Sequence, residues 1–387
     1  MGVWAKDMKK HLATVDWILV AAVVISSVYG YVLIMSATNS LGAAQSRNLL
    51  VHVVAAALGF VLMVVLSKSD YDHMIKYSRY LYIAGVVLLI VTYVFGSGDE
   101  TGNRSWIRIR IGDTTIGGQP SEIVKITFIM TFARHLDRVK DEINHPKNIL
   151  LLGLHFAAIF GLILLQGDLG TALVFLFVFL AMCFAAGVSV WYFLAALFLA
   201  VAASPLLWTL MTEKQRQRIL VGFNPELDPR GVGHQPLMSR RAIGSGGLFG
   251  AGYQKGHYTQ NGIIPKQWTD FIFSAAGEEF GFVGALLVIV LLAVIIVRIF
   301  LVSRRAHNNA GSLICVGIMA VFVVHAVENI GMCLGLLPVI GIPLPFFSYG
   351  GSSILSSLMG IGVVLSVNSR RNIYYFTRDE NDENPYP

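Results

Sequence analysis

What most constrains this chain is a series of long apolar stretches, each close to the length a helix needs to cross a bilayer. A spanning helix takes roughly 20 mostly apolar residues. Such stretches occupy about 17–36, 49–67, 80–96, 120–134, 149–165, 169–187, 191–211, 271–301, 312–334 and 347–367. With 55% of the 387 residues hydrophobic and only 13% charged, an ordinary soluble globule is excluded. The sequence predicts an all-α integral membrane protein of about ten transmembrane helices. Its expected parts are a cytoplasmic N-terminus (1–16), a polytopic membrane domain (17–367), a long outward basic Gly-rich loop within it between helices 7 and 8 (212–267), and a disordered cytoplasmic tail (368–387). The basic start, Met1 to Lys10, reads as the flank of an uncleaved anchor.

Sidedness follows from the cations, because short loops rich in Lys and Arg stay in the cytoplasm. Lys6, Lys9 and Lys10 put the N-terminus inside, and counting spans brings Lys68, Arg79, Arg138, Lys140, Arg304 and Arg371 to the same side. Both termini are then cytoplasmic. Cys183, Cys315 and Cys333 fall inside spans without metal-ligand or redox spacing, so they read as small core residues.

Where the outward loop meets the eighth span, Lys266-Gln267-Trp268-Thr269-Asp270 runs straight into Phe271. If a helix opens at Thr269, then Asp270, Ser274, Gly277, Gly281 and Gly284 share one face of a continuous span. Asp270 at its top is either a cap and dipole partner or a general base acting on a lipid-linked substrate. Glu122 and Lys125, three apart in the fourth span, must pair and face the protein interior. Asp168 reads as a helix cap, and His325 with Glu328 as interhelical hydrogen bonding.

Two outward segments carry unexpected cations. In the long loop, Arg240-Arg241-Ala242-Ile243-Gly244-Ser245-Gly246-Gly247, with Lys255, offers guanidinium groups and glycine amides of the kind a pyrophosphate requires. A merely solvated basic loop is the alternative. Between the third and fourth spans, Trp106-Ile107-Arg108-Ile109-Arg110-Ile111 alternates, which suggests a short extended or amphipathic piece anchored at the interface by Trp106. The proline-rich lead-in to the last span, through Ser348-Tyr349-Gly350, is irregular backbone that survives at membrane depth only in protein or along a wet cavity.

Five ordered motifs then resemble one family. Gln119-Pro120-Ser121-Glu122…Lys125, Gln166-Gly167-Asp168-Leu169-Gly170-Thr171, Ala242-Ile243-Gly244-Ser245-Gly246-Gly247-Leu248…Gly250, Thr269-Asp270-Phe271-Ile272-Phe273…Gly277-Glu278-Glu279-Phe280-Gly281-Phe282 and Gly341-Ile342-Pro343-Leu344-Pro345…Ser348-Tyr349-Gly350-Gly351-Ser352-Ser353 are similar to those of the SEDS proteins (shape, elongation, division, sporulation), RodA and FtsW among them. The wording around Glu328-Asn329-Ile330-Gly331-Met332 is more similar to RodA, the elongation member. The resemblance implies a ten-helix peptidoglycan glycosyltransferase of the bacterial cytoplasmic membrane that polymerises lipid II on the outer face, with a class B penicillin-binding protein as partner and no nucleic acid. It also implies Asp270 as the essential acid and Glu122 with Lys125 as a functional pair. The chain departs from the family's usual Pro at Gly167, which is expected to loosen that turn, and from its usual His at Trp268.

Joining two lipid-linked saccharides expels a pyrophosphate, which leaves without a proton, so one base and a set of cations suffice. The expected set is Asp270 as base, Glu122 and Lys125 holding local charge, and Trp106, Arg108, Arg240, Arg241, Lys255, Ser348 and Gly350 around the substrate. No metal ligand set stands out, though a divalent cation, Mg or Mn, could share the pyrophosphate. Competing readings are a lipid II flippase, a division or sporulation paralogue with the same chemistry, and a non-catalytic scaffold.

Overall fold

The computed structural model describes residues 14–97, 103–111, 114–211 and 213–381; Met1 to Lys10 lies outside them. The helices are α1 (Trp17–Ala37), α2 (Ala43–Lys68), the short α3 (Tyr71–Lys76), α4 (Ser78–Phe95), α5 (Pro120–Arg138), α6 (Pro146–Leu165), α7 (Leu169–Ala185), α8 (Val190–Leu210), α9 (Glu213–Phe223), α10 (His234–Ser245), α11 (His257–Gln260), α12 (Ile272–Glu279), α13 (Gly281–Arg304), α14 (Asn309–Cys333) and α15 (Gly351–Asn381). Among the described residues seven of these are long and apolar enough to cross a membrane: α1, α2, α4, α6, α13, α14 and α15. Of the other expected spans, α7 and the front of α8 are apolar but shorter, and α5 carries Glu122, Lys125, Arg134, Asp137 and Arg138.

Small residues let the spans approach closely, as membrane packing favours. At Gly59 on α2 an added Cβ would stand 2.6 Å from Leu358 Cδ1, and at Gly362 on α15 it would stand 2.8 Å from the Met63 carbonyl. Phe128, Phe132, Phe156, Phe175 and Phe179 fill the space between α5, α6 and α7 with stacked and tilted rings. By contrast Trp191, Leu197, Phe198 and Leu199 of α8 are exposed, an apolar surface that lipid tails can cover.

The alternating Ile/Arg segment is extended as foreseen, forming β1 (Ile107–Ile111) paired antiparallel with β2 (Thr114–Gly118), so a hairpin stands before α5. The eighth span does not begin at Thr269. A separate α12 ends at Glu279, and α13 restarts at Gly281 with φ +65°, a left-handed conformation that favours glycine. The helix breaks because the outward segment supplies the hydrogen bonds instead: Phe282 N–H donates to Gly247 O at 2.8 Å, and Ala251 N–H to Glu278 O at 2.9 Å. Finally, α15 runs through Asn381, well into the tail expected to be disordered. Nothing between Arg370 and Asn381 is a Gly or Pro that would stop a helix.

The Gln166–Thr171 turn is not loosened. Gly167 sits at φ +80° and closes α6 with N–H bonds from Gly167 to Leu164 O (2.9 Å) and from Asp168 to Ile163 O (3.3 Å), a helix stop that needs the left-handed region. Proline, with φ fixed near about −65°, could not adopt it. Asp168 is the cap expected, accepting from Thr171 N at 3.0 Å, and its other oxygen accepts from Gln119 Nε2 at 2.8 Å.

Candidate active site

Asp270 stands in a turn two residues ahead of α12, not in its first helical turn, and the cap reading fails because α12 has no side-chain cap. Lys266, at φ +56°, opens that turn, and the Asp270 N–H closes it onto Lys266 O at 3.1 Å. A buried Gln267 ties it down, donating to Ala37 O at 2.8 Å and Thr259 O at 2.7 Å. From the far side the irregular 337–350 segment is sewn to the same turn. Ser348 Oγ donates to Thr269 O, and Tyr349 N–H donates to Trp268 O at 2.8 Å. Ser348 is thus a buried brace, 3% exposed, rather than a group offered to substrate. Asp270 itself is half-buried, and a Cβ at Gly341 would stand 3.6 Å from its Oδ2.

The Glu122–Lys125 pair lies one layer deeper. Lys125 Nζ donates to Glu122 Oε1 at 2.9 Å, Ser356 Oγ donates to Glu122 Oε2 at 2.6 Å, and Lys125 Nζ lies 3.2 Å from His325 Nε2. The other ring nitrogen of His325 is 2.9 Å from Pro343 O. His325, expected to make an interhelical hydrogen bond, does so by reaching across to Lys125 on α5. Both networks end on one short piece of chain: Gly341 borders the Asp270 carboxylate, Asn329 Nδ2 links Ile342 O to Asp270 O with two bonds of 2.8 Å, and Pro343 receives His325. A small cavity bordered by Glu122, Lys125, His325, Pro345 and Ser356 lies beneath it.

The expected cations divide. Arg240 is exposed on α10, but its aliphatic stem lies over Gly335, where a Cβ would meet Cδ at 2.7 Å. Its neighbour Ser239 donates to Cys333 O at 2.6 Å, next to the Asp270 turn. Arg241 is exposed on the same helix. Arg108 is exposed on β1, with Trp106 half-buried just before it. Gly350 follows directly on the braced turn, half-buried ahead of α15. Lys255 is at the other end of α12, in the loop whose Gly252 N–H donates to Glu279 O at 3.1 Å.

The Gly-rich run has another task than cradling phosphate. Gly246 and Gly250 are glycines because a Cβ would collide with Gly277 O and Glu279 O, and Gly244 lies within α10. Glu278 and Glu279, next to Asp270 in the sequence motif, are structural: Glu278 accepts from Tyr258 N, Thr259 N and Thr259 Oγ1, and Glu279 from Ser36 and Gln260. Sequence reasoning missed Ser356 and the bridging role of Asn329, because a lone polar residue in a span gives no sign of its partner.

Comparison with known proteins now decides the family. The profile of the cell cycle protein family of FtsW, RodA and SpoVE matches residues 15–373. The chain belongs to this family. Members similar to it include the peptidoglycan glycosyltransferase MrdB of Escherichia coli, 36% identical over 82% of this chain and 84% of that protein. The peptidoglycan glycosyltransferase RodA of Treponema pallidum is 31% identical over 92% and 98%. Among solved structures, a chain of a peptidoglycan synthase complex that coordinates polymerisation and crosslinking superposes with TM-score 0.79 at 30% identity, covering 92% of this chain and 98% of that one. RodA of Thermus thermophilus superposes with TM-score 0.68 at 29% identity, covering 92% and 97%. Like these family members, the chain is a multi-pass membrane protein.

Proposed function

We propose that this protein is a peptidoglycan glycosyltransferase that polymerises lipid II at the outer face of the bacterial cytoplasmic membrane, in the elongation branch of its family. The observation that carries this reading is the convergence of Asp270 and the Lys125–Glu122–His325 network on Gly341–Ile342–Pro343. An acid at the rim and a neutralised cation beneath it are what a one-base glycosyl transfer needs.

In the reaction a sugar hydroxyl of the acceptor attacks the donor's anomeric carbon. Its proton passes to an Asp270 carboxylate oxygen, the hydroxyl oxygen's lone pair forms the glycosidic bond, and the bond from that carbon to the polyprenyl pyrophosphate breaks with its electrons on the pyrophosphate. Arg240, Arg241 and Arg108 receive that anion, and Trp106 and Trp268 can stack on sugar. Lys125, 2% exposed, does not reach substrate as it stands; it fixes the Pro343 segment through His325. Among the described residues no group of three or more His, Cys, Asp or Glu could hold a metal ion, so a divalent cation sharing the pyrophosphate would be held chiefly by the phosphates themselves.

The partner is a class B penicillin-binding protein that crosslinks the product, and both termini are cytoplasmic. This reading is supported by the likeness to the synthase complex and by the charge pattern. Purified protein with its partner, supplied with lipid II, should make polymer, and Asp270→Asn should lower the rate on the order of 10²–10⁴-fold, the worth of a general base. Undiminished polymerisation by that variant would end the assignment. A flippase would instead move labelled lipid II between leaflets of a liposome without making polymer.

A further inference from the structure

One carboxylate near the site is unaccounted for. Glu328, on α14, is 7% exposed, and among the described residues no side chain donates to either of its oxygens, its polar neighbour being the Ile340 backbone. It lies within electrostatic reach of Asp270 and beside the backbone of Ile340. Asp270 Oδ2 borders the next residue, Gly341, and Asn329, directly after Glu328, holds the Asp270 carbonyl. The two acids therefore both border the Ile340–Gly341 backbone.

Other charged and titratable groups do not compensate Glu328. His325, one turn away on α14, is engaged by Lys125 and Pro343 O. Lys125 and Glu122 on α5 are closed on each other. Cys333 contacts the Asp270 carbonyl, and Arg240 on α10 lies over Gly335 with its head exposed. Two carboxylates close together in a water-poor crevice hold one proton between them far more readily than two negative charges.

Resting on the polymerase reading, we propose that Glu328 is a positioning residue for the glycosyl transfer: a second acid that shares a single proton with Asp270 and keeps the pair at one negative charge. The working form has Asp270 ionised and turned to the acceptor hydroxyl, with the shared proton on Glu328. When the hydroxyl proton arrives on Asp270 the pair is briefly neutral, and one proton is then released to water at the open rim. Losing the shared proton at high pH would place a second negative charge where the pyrophosphate must bind, so the pair sets an alkaline limit on substrate use.

The test is the pH profile of kcat/KM for lipid II polymerisation by the partner-bound protein. Glu328→Gln, neutral at every pH, should retain activity at the optimum within about tenfold while the alkaline fall is lost or moves upward and the acid limb remains. A profile that superposes on wild type, or one lowered evenly at all pH values, would overturn the proposal. Absence of polymer from the wild-type protein would instead count against the polymerase reading itself. Infrared spectroscopy keeps the idea testable if Glu328→Gln fails to fold. A protonated-carboxyl band of the wild-type protein should shift its titration when Asp270→Asn removes the neighbouring charge, and a band indifferent to that change would refute the pairing.

Discussion

At the scale of single residues, the Glu122–Lys125 pair shows how much a buried charge depends on its neighbours. The side chains are 6% and 3% exposed, so each charge has given up water, and that loss is offset by the other together with Ser356 and His325. Removing one member leaves an uncompensated charge, at a cost of about 3–5 kcal/mol. Lys125→Met should therefore lower the unfolding temperature of the detergent-solubilised protein sharply. The double change Glu122→Gln with Lys125→Met should recover most of the loss, because no net charge then remains buried. If single and double variants unfold alike, the pair does not carry this energy. The pairing was legible from spacing: opposite charges three apart inside a span have few other ways to be satisfied. Its links to His325 and Ser356 were not legible, since those residues come from helices some 200 positions further along the chain.

At the scale of elements, the break between α12 and α13 decides how Asp270 is presented. A continuous helix would have carried the acid on a regular face. Two helices joined at Gly281 let α12 pack against α10 while α13 follows the bundle. Periodicity predicted one long span because nothing local forbids it. The interruption is imposed by Gly247, Leu248 and Ala251, whose backbone groups replace the helix's own hydrogen bonds, and such a long-range exchange leaves only a glycine as its trace. At Gly281 an added Cβ would collide with Gly250 N and stand 2.6 Å from Leu248 O, at a positive φ. Gly281→Ala should cost on the order of 2–5 kcal/mol from strain and overpacking combined and reduce polymerisation along with stability. Gly161→Ala on α6 is the matched control. With nothing within 4 Å of its Cβ, it should be neutral or up to about 1 kcal/mol more stable. Equal melting temperatures for the two variants would mean the break carries no load.

Across the whole molecule, cations and acids join the helices at one end of the bundle while the candidate site occupies the other. Arg298 on α13 grips Asp16 ahead of α1 at 2.6 Å, Arg370 on α15 meets Asp70 ahead of α3 at 2.6 Å, and Arg134 on α5 donates to Ile75 O at 2.6 Å. Gln119, Asp168, Ser352 and the Asp270 turn lie at the opposite ends of the same helices. The spans and their alternation in charge were legible because the bilayer imposes its thickness on sequence directly. The folding of 213–262 into α9, α10 and α11 was not, because its glycines fit several turn geometries and their partners are remote. Sidedness can be read from accessible thiols, with little background because Cys183, Cys315 and Cys333 are all buried. Lys255→Cys, exposed beside α11, should react with a membrane-impermeant maleimide in intact cells stripped of outer layers. Lys140→Cys, exposed after α5, should react only once the membrane is permeabilised. The reverse pattern would place Asp270 on the cytoplasmic face, where a polymer destined for the wall could not be assembled.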